Sequence, residues 1–298
     1  MMEISAQNLT KNYGGNNLAL DSVSFKISLN GIMAVIGKNG AGKTTLVRIL
    51  STELLPTNGN AYINGYDDVK DAKNIREIIA VVPQEARAIP WLTPIQTISS
   101  YLMWRGLSYR ESVEKGKEVL RTFGLEEVEN EKNRKLSGGM KRKVLVATVV
   151  SSDAPIIFLD EPTTGLDYIS RKELWNILQL MKKNRLIILT THYLEEAENL
   201  GDIIGILDKG KLLAIGGMNE LRKIVKYPFS IKTSAKIDLN ENNVFIKKLR
   251  DDEIQIFSTE KVIFELAQTL LEKKVRFTVE EVSLNNIFEF LVEGGVED

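Results

Sequence analysis

Polar and apolar residues alternate from residue 1 to residue 30, with Ile4, Ala6 and Leu9 in one run and Leu18, Leu20, Val23, Phe25 and Ile27 in the next. A period of two predicts two antiparallel strands joined at Gly14-Gly15-Asn16-Asn17. Four other runs, 32–36, 78–82, 156–159 and 186–189, are apolar throughout and too short for helices, as strands buried on both faces of a parallel sheet must be. Residues 59–66 contain Asn64-Gly65, a hairpin signal, so a small antiparallel sheet is expected beside the main one. Strand signals stop between 85 and 135. There, 93–105 and 110–123 carry apolar residues at helical spacing, and Ser108 is placed to cap the second helix. From about residue 220 the texture changes again, with strands predicted at 229–231, 244–246, 254–257 and 275–279 and a helix over 259–273. The pattern predicts an α/β core with a mostly parallel sheet, a small antiparallel β subdomain and a helical insertion at about 86–140. That domain spans 1–219, and a small α+β domain follows over 220–298.

Composition narrows the functional classes. The 298 residues are 43% hydrophobic, enough for a real core, and 39 Lys plus Arg against 40 Asp plus Glu leave no net positive field for a nucleic-acid backbone. The chain has no cysteine, which removes disulfide frameworks and thiolate metal sites. Its first residues lack a secretory signal, and no apolar run approaches the roughly 18 residues of a membrane span. A soluble, cytoplasmic protein is expected, with any membrane role exercised through a partner.

The candidate chemistry starts at Gly37-Lys38-Asn39-Gly40-Ala41-Gly42-Lys43-Thr44-Thr45, which fits G-x-x-x-x-G-K-[ST]. An apolar run precedes it, and Leu46, Val47, Ile49 and Leu50 follow at helical spacing, so the order is strand, glycine loop, helix, as in a P-loop NTPase core. Backbone N–H groups can surround a polyphosphate only where no Cβ intrudes, and the helix N-terminus adds partial positive charge. In that setting Lys43 would reach the β and γ phosphates, and the Thr44 hydroxyl would be a magnesium ligand. The 156–159 run delivers Asp160 and Glu161 at its carboxyl end, where ligands of open parallel sheets sit. Asp160 would hold magnesium and Glu161 would polarise a water aimed at the γ phosphate. His192, the only histidine, follows the 186–189 run and could contact the same phosphate. Tyr13 either stacks on an adenine ring or packs at a strand end. Ser137-Gly138-Gly139 either caps the helix at 140–150 or forms a second phosphate site. Charged residues over 126–135 read as a solvated face.

Tyr13, the 37–45 loop, Gln84, Leu136-Ser137-Gly138-Gly139, the 156–162 run, Gly165-Leu166-Asp167 and His192 stand in the order of the ATP-binding cassette family. The chain resembles the nucleotide-binding subunit of an ABC transporter across roughly residues 2–217. By that resemblance Tyr13 matches the adenine-stacking aromatic, residues 37–45 the Walker A loop, and Gln84 the glutamine near magnesium and the attacking water. Ser137, Gly138 and Gly139 match the signature, Asp160 the Walker B aspartate, Glu161 the catalytic glutamate, Asp167 the D-loop aspartate and His192 the switch histidine. Met140 stands where glutamine is common, and Tyr168 where proline often follows the D-loop aspartate.

The resemblance implies MgATP bound between two subunits packed head to tail, each supplying the Ser137 loop to the other's nucleotide. The partners implied are a second nucleotide-binding subunit and an integral-membrane permease, with no nucleic acid. The location implied is the cytoplasmic face of the membrane. The helical insertion and the Gln84 loop would offer a groove to the permease, with Trp91 and Trp104 either anchoring it or filling the insertion's own core. The run Val282-Ser283-Leu284-Asn285-Asn286-Ile287-Phe288-Glu289-Phe290 resembles the tail of cassette subunits from two-component exporters, which leans the direction toward export. Two other readings are a soluble cassette ATPase acting on ribosomes or nucleic acid, which lacks here the second cassette or heptad arms it would need, and a P-loop kinase, in which Glu161 and the signature have no obvious task.

Overall fold

The computed structural model describes residues 1–15, 17–234, 244–249 and 253–292; Asn16 of the expected first turn and the rest of 220–298 lie outside them. Contacts divide the chain into two compact units, Met1–Ile215 and Gly216–Asp298.

In the first unit, β1 (Met2–Asn12) and β2 (Leu18–Leu29) pair antiparallel, with Ile4 opposite Ile27 and Ala6 opposite Phe25. Next come β3 (Gly31–Ile36), α1 (Lys43–Leu50), β4 (Asn58–Ile63), β5 (Tyr66–Asp67), α2 (Ala72–Ile78) and β6 (Ile79–Val82). The β4–β5 turn places Asn64 at φ 50° and Gly65 at φ 87°, the left-handed pair a tight hairpin requires. The small sheet has the order β2-β1-β4-β5. Its inner face, with Ile4, Leu9 and Leu20, shares a core with Leu46 and Ile49 of α1 and Met33 and Val35 of β3.

The insertion contributes α3 (Pro94–Trp104) and α4 (Tyr109–Thr122). Both start in capping boxes, Thr93 with Gln96 and Ser108 with Glu111, and the Ser108 bonds hold the Glu111 carboxyl below its ordinary range. The 126–135 segment is largely solvated, but Asn133 is buried and donates from Nδ2 to the Ile89 carbonyl and Thr97 Oγ1, both at 3.0 Å. Trp91 and Trp104 are 70% and 78% exposed, so neither fills the insertion core; that alternative is set aside, and the rings stand outward from the turn before α3 and from its last residue.

The main sheet is completed by β7 (Ile156–Asp160) after α5 (Gly138–Val150), by β8 (Leu186–Thr191) after α6 (Tyr168–Met181), and by β9 (Ile203–Asp208) and β10 (Lys211–Gly216) after α7 (Leu194–Leu200). Its order is β10-β9-β3-β8-β7-β6, with β3 parallel to β8 and β9, and β7 parallel to β6 and β8. Every residue of β3, β7 and β8 is buried, as the unbroken apolar runs require. Asp160 lies opposite Thr190 and Ile36 opposite Thr191, so β3, β7 and β8 end at one level and their following loops open onto one edge.

The second unit holds α8 (Met218–Ile224), β11 (Phe229–Thr233), β12 (Phe245–Lys248), β13 (Ile254–Ser258), α9 (Glu260–Glu272), β14 (Phe277–Glu281) and α10 (Leu284–Val292). An antiparallel sheet ordered β12-β13-β11-β14 packs Ile231 and Ile256 against Ile263 and Leu270 of α9. The exporter-like tail forms α10, preceded by Ser283, whose backbone N–H donates to Asn286 Oδ1 at 3.2 Å.

Candidate active site

The loop after β3 is shaped by close backbone approach. A Cβ at Gly37 would collide with the Leu207 carbonyl oxygen, and one at Gly42, which sits at φ 105°, with that of Ala19. Gly42 is the N-cap of α1 and offers no side chain to the free N–H groups behind it. Lys43 is 5% exposed and folds back over the loop, donating to the carbonyls of Gly37 at 2.9 Å and Lys38 at 3.3 Å. A cleft of about 340 Å³ lies over the loop, lined among others by Tyr13, Asn39, Lys43, Thr44, Gln84 and Glu161. Tyr13 is half exposed at its rim, its hydroxyl 3.4 Å from Thr45 Oγ1 and its ring under the Lys11 ammonium.

Glu161 is the point of convergence. Its carboxylate lies 3.5 Å from Lys43 Nζ, accepts from Gln84 Nε2 at 3.3 Å and Thr164 Oγ1 at 3.0 Å, and stands 3.3 Å from His192 Nδ1. The His192 contact lacks hydrogen-bond geometry, and that buried Nδ1 has no hydrogen-bond partner among the described residues. Gln84 also accepts from the Thr44 hydroxyl at 3.4 Å, which links the loop to the end of β6. Glu161 has φ 48°, a conformation that costs a non-glycine residue on the order of 1–3 kcal/mol unless its surroundings enforce it.

Two residues do the enforcing, and no local pattern marks either for that task. Thr190 of β8 donates to Asp160 Oδ1 and accepts from the Glu161 N–H at 3.0 Å, so one hydroxyl locks both acidic residues. Arg142 of α5 binds three carbonyls in this stretch: Nη2 reaches Asp160 at 2.8 Å and Glu161 at 2.9 Å, and Nε reaches Pro162 at 3.0 Å. The tandem threonines after 186–189 were visible, but only β7–β8 register brings Thr190 to Asp160.

The residues on this edge fit a magnesium-bound polyphosphate. Side chains are excluded where the backbone must approach the phosphates, a lysine and a helix N-terminus face the cleft, and the candidate metal donors Thr44, Gln84 and Asp160 are all oxygens, as a hard cation requires. Among the described residues no cluster of three or more His, Cys, Asp or Glu side chains is placed to hold a metal. A cation here would therefore rely on one carboxylate with neutral and phosphate oxygens, which is how magnesium is commonly held.

Ser137, Gly138, Gly139 and Asp167 are not among the residues that line this cleft. The exposed Ser137 caps α5, accepting from the Met140 N–H at 3.2 Å, so the helix-cap reading holds and the glycines stay open to a ligand from outside. Asp167 caps α6 through the N–H and hydroxyl of Ser170, and those bonds hold its carboxyl below the ordinary range. Behind this turn the fully buried Glu196 accepts from Trp175 Nε1 and Thr163 Oγ1, both at 2.9 Å, while burial pushes its carboxyl pKa up.

Comparison with known proteins gives a consistent picture. The ABC transporter family model matches residues 20–164. The chain is 40% identical over 185 residues to the phospholipid-transporting ATPase ABCA3 of Rattus norvegicus, an alignment covering 62% of this chain and 11% of that protein. The chain thus corresponds to only a small part of the first curated relatives it matches. It is 38% identical over 223 residues to the doxorubicin resistance ATP-binding protein DrrA of Mycobacterium tuberculosis, covering 74% of this chain and 67% of that one. Among solved structures, an ATP-binding subunit of an ABC transporter superposes with TM-score 0.67 at 29% identity, over 74% of this chain and 92% of its own. A dimeric ATP-binding cassette in a post-hydrolysis state, bound to ADP and Pi, superposes with TM-score 0.66 at 26% identity, over 72% and 98%.

Proposed function

The chain belongs to the ABC transporter family, and from that premise we propose that it is an ATPase subunit whose MgATP-driven dimerisation and hydrolysis power export through a separate membrane permease. The observation that carries this reading is the meeting of Lys43, Gln84, Thr164 and His192 on the Glu161 carboxylate, at the common edge of β3, β7 and β8. We take 1–219 as the cassette and 220–298 as an appended domain.

In this reading the 37–45 backbone and Lys43 bind the triphosphate, and Tyr13 stacks on the adenine. Magnesium, when bound, neutralises phosphate charge and orients the nucleotide for in-line attack, and Thr44, Gln84 and Asp160 are the residues that would hold it. Glu161 takes the proton of the attacking water, Gln84 orients that water, and the His192 imidazole contacts the γ phosphate. Ser137, Gly138, Gly139 and Asp167 face the nucleotide of a second copy or close paralogue packed head to tail. That division explains why they stand outside the cleft of their own chain. Moving such a dimer from 1:99 to 99:1 takes about 5.5 kcal/mol of differential binding, which two trapped nucleotides can supply and hydrolysis withdraws.

Export is favoured by the tail over 282–290 and by the doxorubicin resistance in the name of one relative. A groove of about 810 Å³ between the Gln84 loop and α5 is the place for the permease to dock, with Trp91 exposed nearby in sequence. No helix among the described residues is long and apolar enough to cross a membrane, so attachment on the cytoplasmic face would come through that permease. No observation favours the ribosome or nucleic-acid reading.

The test is release of inorganic phosphate from ATP by the purified chain, alone and with the permease, with and without Mg2+. Magnesium-dependent release supports the reading; no release under either condition overturns it.

A further inference from the structure

The reaction needs Glu161 to keep one orientation although its backbone sits in a left-handed conformation, and the carbonyls that fix that backbone are gathered by a side chain the mechanism does not otherwise use. We propose that Arg142 is a positioning residue for hydrolysis, its guanidinium pinning the main chain from Asp160 to Pro162 so that the Glu161 carboxylate is held on the cleft.

Four main-chain acceptors surround this one fork. Nη2 donates to the Asp160 and Glu161 carbonyls, Nε to that of Pro162, and Nη1 approaches that of Gln84 at 3.5 Å. A planar five-donor group can serve carbonyls that diverge in this way, whereas an ammonium on a flexible stem cannot hold them all in register. The group is held in place despite the cost of burying a charge: burial lowers its pKa, the Asp160 and Glu161 charges oppose that, and Arg87 adds to it. No carboxylate pairs with Arg142 among the contacts described, so its charge is spent on carbonyl dipoles. An arginine serving only a surface ion pair would not be arranged so.

Arg142 also lies in the same α5 that opens with Ser137. Lys143, the next residue, pairs with Glu173 of α6 at 2.6 Å. The head of α5, the end of β7 and the turn to α6 are thus braced as one piece. Under the dimer reading above, on which this inference rests, the loop given to one nucleotide and the carboxylate acting on the other then move together through Arg142.

Arg142→Ala and Arg142→Lys are compared with the wild type by steady-state phosphate release and thermal melting. Because a misplaced catalytic group typically costs on the order of 10²-fold, both variants are expected to lose kcat on that scale. KM for ATP should stay within about threefold, since the binding loop is untouched. A folded Arg142→Ala with wild-type kcat overturns the inference, and so does recovery of full kcat in Arg142→Lys or a defect confined to KM. If the alanine variant does not fold, the lysine variant alone decides on the same criteria. Absence of phosphate release from the wild type would instead strike at the ATPase reading itself, so the two failures are separable.

Discussion

The two units are built from the same kinds of strand and helix, yet they treat polar groups in opposite ways. Buried charged side chains among the described residues, Lys43, Asp67, Asp68, Asp160, Glu161 and Glu196, all belong to the first unit. The buried polar residues of the second, Ser230, Thr233, Gln255 and Ser258, are uncharged, and its ion pairs such as Lys232–Glu280 and Lys247–Glu289 are at least a third exposed on their lysines. Strand direction explains the part of it at Lys43, Asp160 and Glu161, whereas Asp67 and Asp68 are met by the N–H groups of Val69, Lys70 and Ala61 around β5, and Glu196 by Trp175 and Thr163. In the parallel part of the main sheet the carboxyl ends of β3, β7 and β8 lie level, so three loops deliver charges to one cleft where each finds a partner. In the antiparallel sheet of the second unit neighbouring strands end on opposite edges, so no such convergence occurs and its buried polar residues are uncharged. A buried charge is tolerable only where several donors or acceptors meet it.

The comparison breaks first at Glu161. Glu161→Gln keeps the size and loses the base, so phosphate release is expected to fall on the order of 10²- to 10³-fold while ATP still binds and holds a dimer in size-exclusion chromatography. Wild-type turnover in that variant would mean the convergence on Glu161 has no chemical purpose. Glu196→Ala leaves Trp175 Nε1 and Thr163 Oγ1 without their acceptor, and denaturant melts should show a loss of about 1–3 kcal/mol. An unchanged midpoint would show that water takes the place of the carboxylate.

Ile256→Val in the apolar core of the second unit should cost about 0.5–1.5 kcal/mol and leave phosphate release per folded molecule unaltered. A large change in kcat there would contradict the division of labour. The smallest effect is expected at Asp167. Its folded pKa is depressed by the Ser170 bonds, so its cap supports α6 above the unfolded Asp value of about 3.9 and is lost as pH falls through the folded value. Asp167→Ala should therefore lower Tm slightly at pH 7 and by progressively less as the pH drops below about 4. A gap that widens in acid would reverse the sign of this argument.

Much of the site was legible because its signals are local. The glycine loop is a run of consecutive residues between a strand and a helix, Asp160 and Glu161 end an unbroken apolar run, and Ser108, Ser137 and Asn64-Gly65 announce their caps and turn within four positions. Arg142 and Glu196 were illegible for the converse reason. Each reads as an ordinary charge on an amphipathic helix, and only chain segments distant in sequence supply the carbonyls of Asp160 to Pro162 or the donors of Trp175 and Thr163. The two tryptophans were ambiguous, since a bulky apolar residue before or at the end of a helix suits core and surface alike, and only the fold shows both to be exposed.

The sequence by itself determined that this chain has a phosphate loop, where its buried strands lie, and which acids end them, because backbone conformation and strand burial follow from neighbours along the chain. Tertiary structure alone decided that Lys43, Gln84, Thr164 and His192 share one carboxylate and that Arg142 and Thr190 hold its strained backbone. Those contacts depend on sheet order and register, and no short stretch of residues specifies either.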